Sequence, residues 1–166
     1  MNIFKPVALV TTLAFSSLVS AEWSATIEDD IFTGKKKASL VGRISLNQML
    51  VFDCDSQDLT FSFLERSRRV ESEDFSRPIV RLVAKVDHGK IHEFDARAGR
   101  RNENYVAMTV VDRGGILDLL KEIRNAQSKI QLGLHERLTD SRWSGTASVR
   151  GSTRETTRFL KACELE

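Results

Sequence analysis

Two cysteines carry the clearest chemistry in this chain of 166 residues. Cys54 ends the apolar run QMLVFDC, and Cys163 lies near the chain end, in TTRFLKACELE. Two cysteines allow only one intramolecular pairing, and thiols pair in the oxidising environment that an exported protein meets. Their wide spacing excludes a CxxC redox motif, and without suitable histidines they make no zinc site. We therefore predict a Cys54–Cys163 disulfide, with two buried free thiols as the alternative.

The other residue types that perform chemistry form no recognised motif. The spacing of the histidines matches no metal motif, although Asp87 or Asp95 could join two of them across a sheet. No serine lies in a G-x-S-x-G elbow. The glycines of RAGRR and DRGG lack the strand–loop–helix frame of a phosphate loop. We therefore predict no catalytic residues, no bound metal and no cofactor. The histidines are His88, His92 and His135.

Basic residues form three clusters, which are KKK at 35–37, RSRR at 66–69 and RAGRR at 97–101. All three fall in predicted loops, and clusters that meet at one end of a sheet attract anions. Anionic glycans, lipid head groups or an acidic protein surface are the candidate partners. The alternative is that these charges only keep the loops soluble, since acidic residues lie close by.

Arginine and tyrosine are favoured in protein interfaces, and the two arginine clusters supply the predicted binding site. Its residues are Arg66, Arg68, Arg69, Arg97, Arg100, Arg101 and Tyr105. The whole chain carries 25 lysines and arginines against 23 aspartates and glutamates. This balance argues against a dedicated nucleic-acid binder.

The N-terminal segment MNIFKPVALVTTLAFSSLVSA predicts export. Lys5 precedes an apolar run from Val7 to about Val19, and small residues up to Ala21 follow. This is the three-part order of a secretory signal peptide. The apolar run of about 13 residues is shorter than the roughly 20 residues of a membrane-spanning helix. We predict cleavage after Ala21, a periplasmic or secreted location, no transmembrane segment in the mature chain, and a single domain over 22–166.

The middle of the chain has the pattern of strands. QMLVFDC is a dense apolar run, and DLTFSFLER alternates apolar and polar residues. The turn-forming residues between them, Asp55 to Asp58, predict a hairpin. His88 and Gly89 predict a second turn, after PIVRLVAKVD. These runs recur every 10 to 15 residues or so, which is typical of an antiparallel sandwich or meander.

Two helices interrupt or follow the strands. GGILDLLKEIRNAQ is predicted to form a helix after Gly114 and Gly115. In the tail, Ser152 and Glu155 have the spacing of a capping box. The apolar stripe of that helix includes Cys163. The fold class is therefore α+β and mainly β, an antiparallel sheet or sandwich with two helices, the C-terminal one tied to a strand by the disulfide.

A family resemblance rests on the order of these features. Trp23 follows the signal peptide, MLVFDC ends in a cysteine, a helix of the ILDLLKEI kind follows, and TTRFLKAC ends the chain. This pattern resembles the periplasmic VasI/TagO-type proteins associated with bacterial type VI secretion. In that family one cysteine closes an early strand and another closes the final helix, positions that Cys54 and Cys163 match. The resemblance implies a fold and a compartment, and it carries over no catalytic residue.

The functional expectation is a non-enzymatic, exported accessory or binding protein of the cell envelope. Its partner would be an envelope or secretion-system protein, or an anionic envelope component. The alternative is a small hydrolase of peptidoglycan or a related glycan, or an inhibitor of one. A hydrolase needs two carboxylates across a cleft, for which Asp87 with Asp95 or Glu93 are the candidates.

Overall fold

The computed structural model describes residues 22–68, 80–137 and 139–166, so the predicted signal peptide lies outside the described residues. The chain forms nine strands and two helices among these residues. In chain order the strands are β1 (Trp23–Asp29), β2 (Lys36–Arg43), β3 (Gln48–Cys54), β4 (Leu59–Arg66), β5 (Val80–Val86), β6 (Ile91–Arg100), β7 (Tyr105–Val110), β8 (Lys129–Glu136) and β9 (Ser141–Ser148). The helices are α1 (Arg113–Arg124) and α2 (Ser152–Ala162). The mainly-β class with two helices is thereby confirmed.

All strands join one antiparallel sheet in the order β1-β2-β3-β4-β7-β6-β5-β8-β9. The prediction of a sandwich or meander is thus refined to a single sheet. The sheet curls until its two edges approach each other. There the indole Nε1 of Trp23 donates a hydrogen bond of 2.6 Å to the carbonyl of Ser148. A curled sheet buries its inner face without a second sheet.

The two predicted hairpin turns are confirmed. Asp55 and Asp58 close the β3–β4 turn, where the Asp55 carboxylate accepts the Asp58 N–H at 2.8 Å. After β5, Gly89 donates its N–H to the carbonyl of Val86 at 2.8 Å. Asx-type bonds of this kind give turns a defined backbone without help from the core.

The helices pack on the inner face of the sheet and complete the core. Each helix presents one apolar stripe, as its sequence spacing predicts. The stripe of α1 is Ile116, Leu119, Leu120 and Ile123, all buried, and that of α2 includes Phe159 and Leu160. They meet aromatic strand residues, among them Phe52 and Phe61, whose rings stack with centroids 4.6 Å apart.

Both helix starts differ from the sequence predictions. Helix α1 begins at Arg113, one turn earlier than predicted, because the Asp112 side chain accepts the N–H of Gly115 at 3.2 Å. The prediction of a capping box at the start of α2 is wrong. Gly151, in the left-handed conformation with φ 89°, is the cap residue, and no side chain caps the helix. Glu155 instead turns toward β1 and accepts the N–H of Ala25 at 3.1 Å.

The disulfide between Cys54 and Cys163 is present, with the two Cα atoms 6.2 Å apart. Cys54 is the last residue of β3, and Cys163 directly follows α2. The predicted covalent tie between the C-terminal helix and a core strand is therefore confirmed. No helix among the described residues is both long enough and apolar enough to cross a membrane.

Glycines leave space for the tryptophan rings on the inner face of the sheet, and Gly42 provides a test of this packing. A Cβ atom on Gly42 would lie 2.5 Å from the ring of Trp23, which is 1% exposed. We expect Gly42→Ala to lower the free energy of unfolding by about 2 kcal/mol, because overpacking forces the indole out of its place. Chemical denaturation measures the change.

Gly99→Ala is the matched control for this substitution. Gly99 is also a strand residue, but a Cβ atom there meets nothing within 4 Å. Its unfolding free energy should change by less than about 0.5 kcal/mol. Equal losses in the two variants would contradict the packing explanation.

Candidate functional site

The predicted binding arginines lie mainly at one end of the sheet. Arg66 is opposite Tyr105 in the β4–β7 pairing, and the N–H of Arg101 donates to the carbonyl of Tyr105 at 2.9 Å. Arg100 is opposite Val106, and Arg97 is opposite Thr109 on the same pair of strands. The prediction that the RAGRR cluster lies in a loop is therefore wrong for Arg97 and Arg100, because the strand continues through them. The exposed Arg68 follows β4, whereas Arg69 lies outside the described residues.

These arginines do not present one uniform positive surface. Side chains alternate along a strand, so Arg100 and Arg101 point to opposite faces of the β6 end. The guanidinium of Arg101 is paired with Asp53 at 2.9 Å. Tyr105 is half-buried against Leu64 and its neighbours, so it is not a fully exposed anchor. Binding by this group of residues stays a prediction.

The histidines are separated in the fold. His92 is buried and its Nε2 lies 3.1 Å from a carboxylate oxygen of Glu122. His135 lies 2.7 Å from Asp140 at the other end of β8 from α1, and His88 is exposed in a turn. Among the described residues, no three histidine, cysteine or carboxylate side chains form a group that could hold a metal ion.

The candidate carboxylates of the hydrolase hypothesis do not share a cleft. Asp87 lies beyond β5, while Asp95 is opposite Arg81 at the start of that strand. The six residue steps from Arg81 to Asp87 correspond to roughly 20 Å along a strand, more than the separation that either glycosidase mechanism uses. Glu93, the other candidate, is paired with Arg81.

Asp87 is committed to the fold instead. Its carboxylate accepts the N–H groups of Gln127 at 2.7 Å and of Lys129 at 2.9 Å, together with the hydroxyl and the N–H of Ser128. The Gln127 and Lys129 amides and the Ser128 hydroxyl hold the pKa of Asp87 well below its usual range. A carboxylate that is this stabilised as an anion ties the α1–β8 connection to the end of β5 and is a poor general acid.

A basic groove is the most distinctive surface of the described chain. It has a volume of about 600 Å³ and lies where four parts of the chain meet, namely the β1–β2 loop, the β3–β4 turn, the start of α1 and the end of α2. Its cations are Lys35, Lys36, Arg113, Arg158 and Lys161. Among the described residues, its acidic lining residues are Asp55 and Glu164. We refer to these residues as the basic groove.

Three of the groove cations have no acidic partner in the described parts of the chain. Lys36 is paired with Asp29 at 2.8 Å, and Arg158 with Glu155 at 2.7 Å. Lys35, Arg113 and Lys161, in contrast, make no ion pair with any described residue. These three charges raise the local positive potential and attract anions.

The disulfide holds the groove together. Cys163 lines the groove, and so does Asp55, which follows its disulfide partner Cys54 in the chain. The bond fixes the end of α2, and with it Lys161, against the β3 end. Because the backbone at this wall of the groove is fixed before a ligand arrives, less conformational freedom is lost on binding.

A second hollow, on the outer face of the sheet, differs in charge. It has a volume of about 450 Å³ and is lined by two cations, Lys37 and Arg101. Its negative charges outnumber its positive charges, because it is also lined by four carboxylates, those of Glu28, Asp53, Asp55 and Asp58. This hollow does not favour anions, so the basic groove is the anion-attracting concavity of the two.

The sequence indicates only part of the groove. The KKK cluster is basic, but the binding site predicted from the sequence comprises the arginine clusters and Tyr105. Arg113, Arg158 and Lys161 are isolated in the sequence and join the lysines only through the fold. One signal was readable, because Arg158 and Lys161 stand three residues apart and therefore share the exposed face of α2.

Comparison with family models, curated proteins and solved structures finds no match to this chain. The function is therefore inferred from the geometry and charge of the protein itself.

Proposed function

We propose that this protein is an exported, non-enzymatic binding protein of the bacterial cell envelope that holds an anionic group of its partner in the basic groove. The observation that carries the proposal is the convergence of five cations from three separate elements, three of them without an acidic partner among the described residues. Phosphate and carboxylate groups are the ligand classes that such a set of lysines and arginines recognises.

The proposed location rests on two independent features. The N-terminal segment has the pattern of a signal peptide, and the chain contains a disulfide, a bond that is typical of proteins outside the cytoplasm. The resemblance to VasI/TagO-type periplasmic proteins is in keeping with both. An envelope or secretion-system protein, or an anionic envelope component, would be the partner.

The proposal is tested by reversing the unpaired groove charges. Pyrophosphate and a tetraglutamate peptide serve as probes for the phosphate and carboxylate classes. In the double variant Arg113→Glu/Lys161→Glu, we expect the affinity for at least one probe to fall ten-fold or more, because attraction is replaced by repulsion. Calorimetric titration at low salt measures the affinity, which should also weaken as salt is added.

The matched control is Arg66→Glu/Arg68→Glu, which changes the net charge equally at the arginine clusters. This variant should bind the probes as the wild type does. Loss of binding in the control alone would place the site at the arginines predicted from sequence and overturn the groove. Cleavage of a purified cell-wall substrate that a single carboxylate substitution abolishes would replace the binding function by the hydrolase.

A further inference from the structure

The β1–β2 loop beside the basic groove carries an apolar tip. Ile31 is 87% exposed and Phe32 is 90% exposed, which makes them the two most exposed large apolar side chains of the described residues. They are adjacent in sequence and stand at the turn of a hairpin. Nothing in the fold requires apolar side chains there, because neither one contributes to the core.

The loop that carries this tip is internally braced. The buried Asp30 carboxylate accepts the N–H of Phe32 at 3.1 Å and the hydroxyl of Thr33 at 2.8 Å. The Asp30 backbone bonds Gly34 and Lys35 across the turn, both at 2.8 Å. Gly34 has φ 70°, a left-handed conformation that glycine adopts without strain. The apolar tip is therefore held outward in a defined conformation.

Positive charge lies on one side of the tip. Lys35, Lys36 and Lys37 follow it after two intervening residues, and all three are exposed. The acidic residues at 29–30 precede the tip and pair with Lys36 and Lys37, which leaves Lys35 as the unpaired cation of this cluster among the described residues. Lys35 and Lys36 also line the basic groove, so the groove is continuous with the base of the loop. A third exposed apolar side chain, Val111 at 76%, lies two residues before Arg113 of the groove. The surface thus places exposed apolar side chains next to the basic groove.

An anionic membrane surface fits this combination. Peripheral proteins bind such a surface by placing aromatic and aliphatic side chains at the boundary of head groups and acyl chains, while lysines and arginines contact lipid phosphates. A protein partner would need a contact of roughly 800 Å² on each side. The two-residue tip by itself supplies only a small part of such a contact, whereas lipid insertion sets no such requirement.

We propose that the β1–β2 loop inserts Ile31 and Phe32 into an anionic lipid surface, with head-group phosphates held in the basic groove. This inference rests on the proposed function, because the groove supplies the anion contacts, and it specifies the anionic group as that of a lipid. The protein would lie on the membrane without crossing it. The groove and the end of α2 would then face the lipid.

The test is flotation of the mature disulfide-bonded protein with lipid vesicles. Phosphatidylglycerol-containing vesicles should carry the wild type, and phosphatidylcholine vesicles should leave it behind. The variant Ile31→Ser/Phe32→Ser should partition at least ten-fold more weakly to the anionic vesicles. Leu46→Ser is the matched control, since Leu46 is 85% exposed in the turn at the opposite end of β2, and it should partition as the wild type does.

A direct signal of insertion comes from Phe32→Trp. Its tryptophan emission should shift to shorter wavelength when anionic vesicles are added, and it should stay unchanged with phosphatidylcholine. Equal partitioning of the Ile31→Ser/Phe32→Ser variant and the wild type would overturn the inference, as would equal binding to both kinds of vesicle.

Pyrophosphate titration separates this inference from the proposed function. If the Ile31→Ser/Phe32→Ser variant binds pyrophosphate like the wild type but no longer floats, both proposals stand. If wild-type protein binds pyrophosphate or tetraglutamate through the groove but floats with no vesicle, the membrane inference is wrong and the binding function stands. If Arg113→Glu/Lys161→Glu changes neither the titration nor the flotation, the groove binds no anion and both proposals fail.

Discussion

Removing the Cys54–Cys163 disulfide should lower the free energy of unfolding by about 4 kcal/mol. The bond links residues 109 positions apart, so its loss restores much of the conformational freedom of the unfolded chain. The variant Cys54→Ala/Cys163→Ser is suited to the measurement, because Cys54 is buried and a serine there would leave a hydroxyl in the core. Urea denaturation of the oxidised wild type and of the variant gives the difference.

Reduction of the wild type provides the control. Wild-type protein in excess reductant should unfold at nearly the same urea concentration as the double variant, and reductant should leave the variant unchanged. The end of α2 should also exchange its amide hydrogens faster, since the last turn loses its anchor on β3. A wild type whose stability is insensitive to reductant would contradict the prediction.

Replacing Glu155 by alanine should cost about 3 kcal/mol, the second large effect. The Glu155 side chain is only 4% exposed, and it joins α2 to β1. Besides the N–H of Ala25, its carboxylate accepts hydrogen bonds from the guanidinium groups of Arg154 at 2.6 Å and Arg158 at 2.7 Å. Alanine leaves the Ala25 N–H without its acceptor and removes the carboxylate that these two arginines share. Glu155→Gln keeps an acceptor for Ala25 and should lose about 1 kcal/mol.

The contribution of Glu155 should depend on pH. Burial by itself raises the pKa of Glu155, but the hydrogen bonds from Arg154, the Ala25 N–H and Arg158 outweigh it and hold the pKa below its ordinary value of 4.5. Because the folded-state pKa is the lower one, the stabilisation is complete above the unfolded-state pKa and is lost as the pH falls through the folded-state pKa.

The difference in stability between the wild type and Glu155→Gln should therefore shrink as the solution is acidified below about pH 4.5. Glu28→Gln is the control, since Glu28 lies on the same strand β1 as Ala25 but is exposed. Its unfolding free energy should follow that of the wild type at every pH. A Glu155 effect that stays constant on acidification would show that its charge contributes nothing.

Local sequence patterns predicted the elements well, and the partners of single side chains less well. Alternation located the β3–β4 hairpin, and the apolar stripes located both helices, because strand and helix periodicity is a property of neighbouring residues. The capping box predicted from the Ser152–Glu155 spacing does not form, and the reason is physical. The carboxylate of Glu155 has a better partner in the Ala25 N–H, which belongs to a strand 130 positions earlier in the chain.

The choice between a sandwich and one curled sheet lay beyond local pattern. Both architectures bury one face of each strand, so they share the same alternation. In a sandwich the inner face of a sheet packs on a second sheet, whereas in a single curled sheet it can pack on helices. Here α1 and α2 fill the concave face, and the edges meet through Trp23 and Ser148.

The sequence by itself determined the mainly-β class, the two helices and the disulfide, since two cysteines admit a single pairing and periodicity is local. Only the tertiary structure decided where positive charge accumulates. Arg113 and Lys161 are far from the lysine cluster at 35–37 in the chain, yet the fold places all of them around one groove. Electrostatic potential depends on distance in space, and chain separation carries no information on that distance until the sheet has curled and the disulfide has closed.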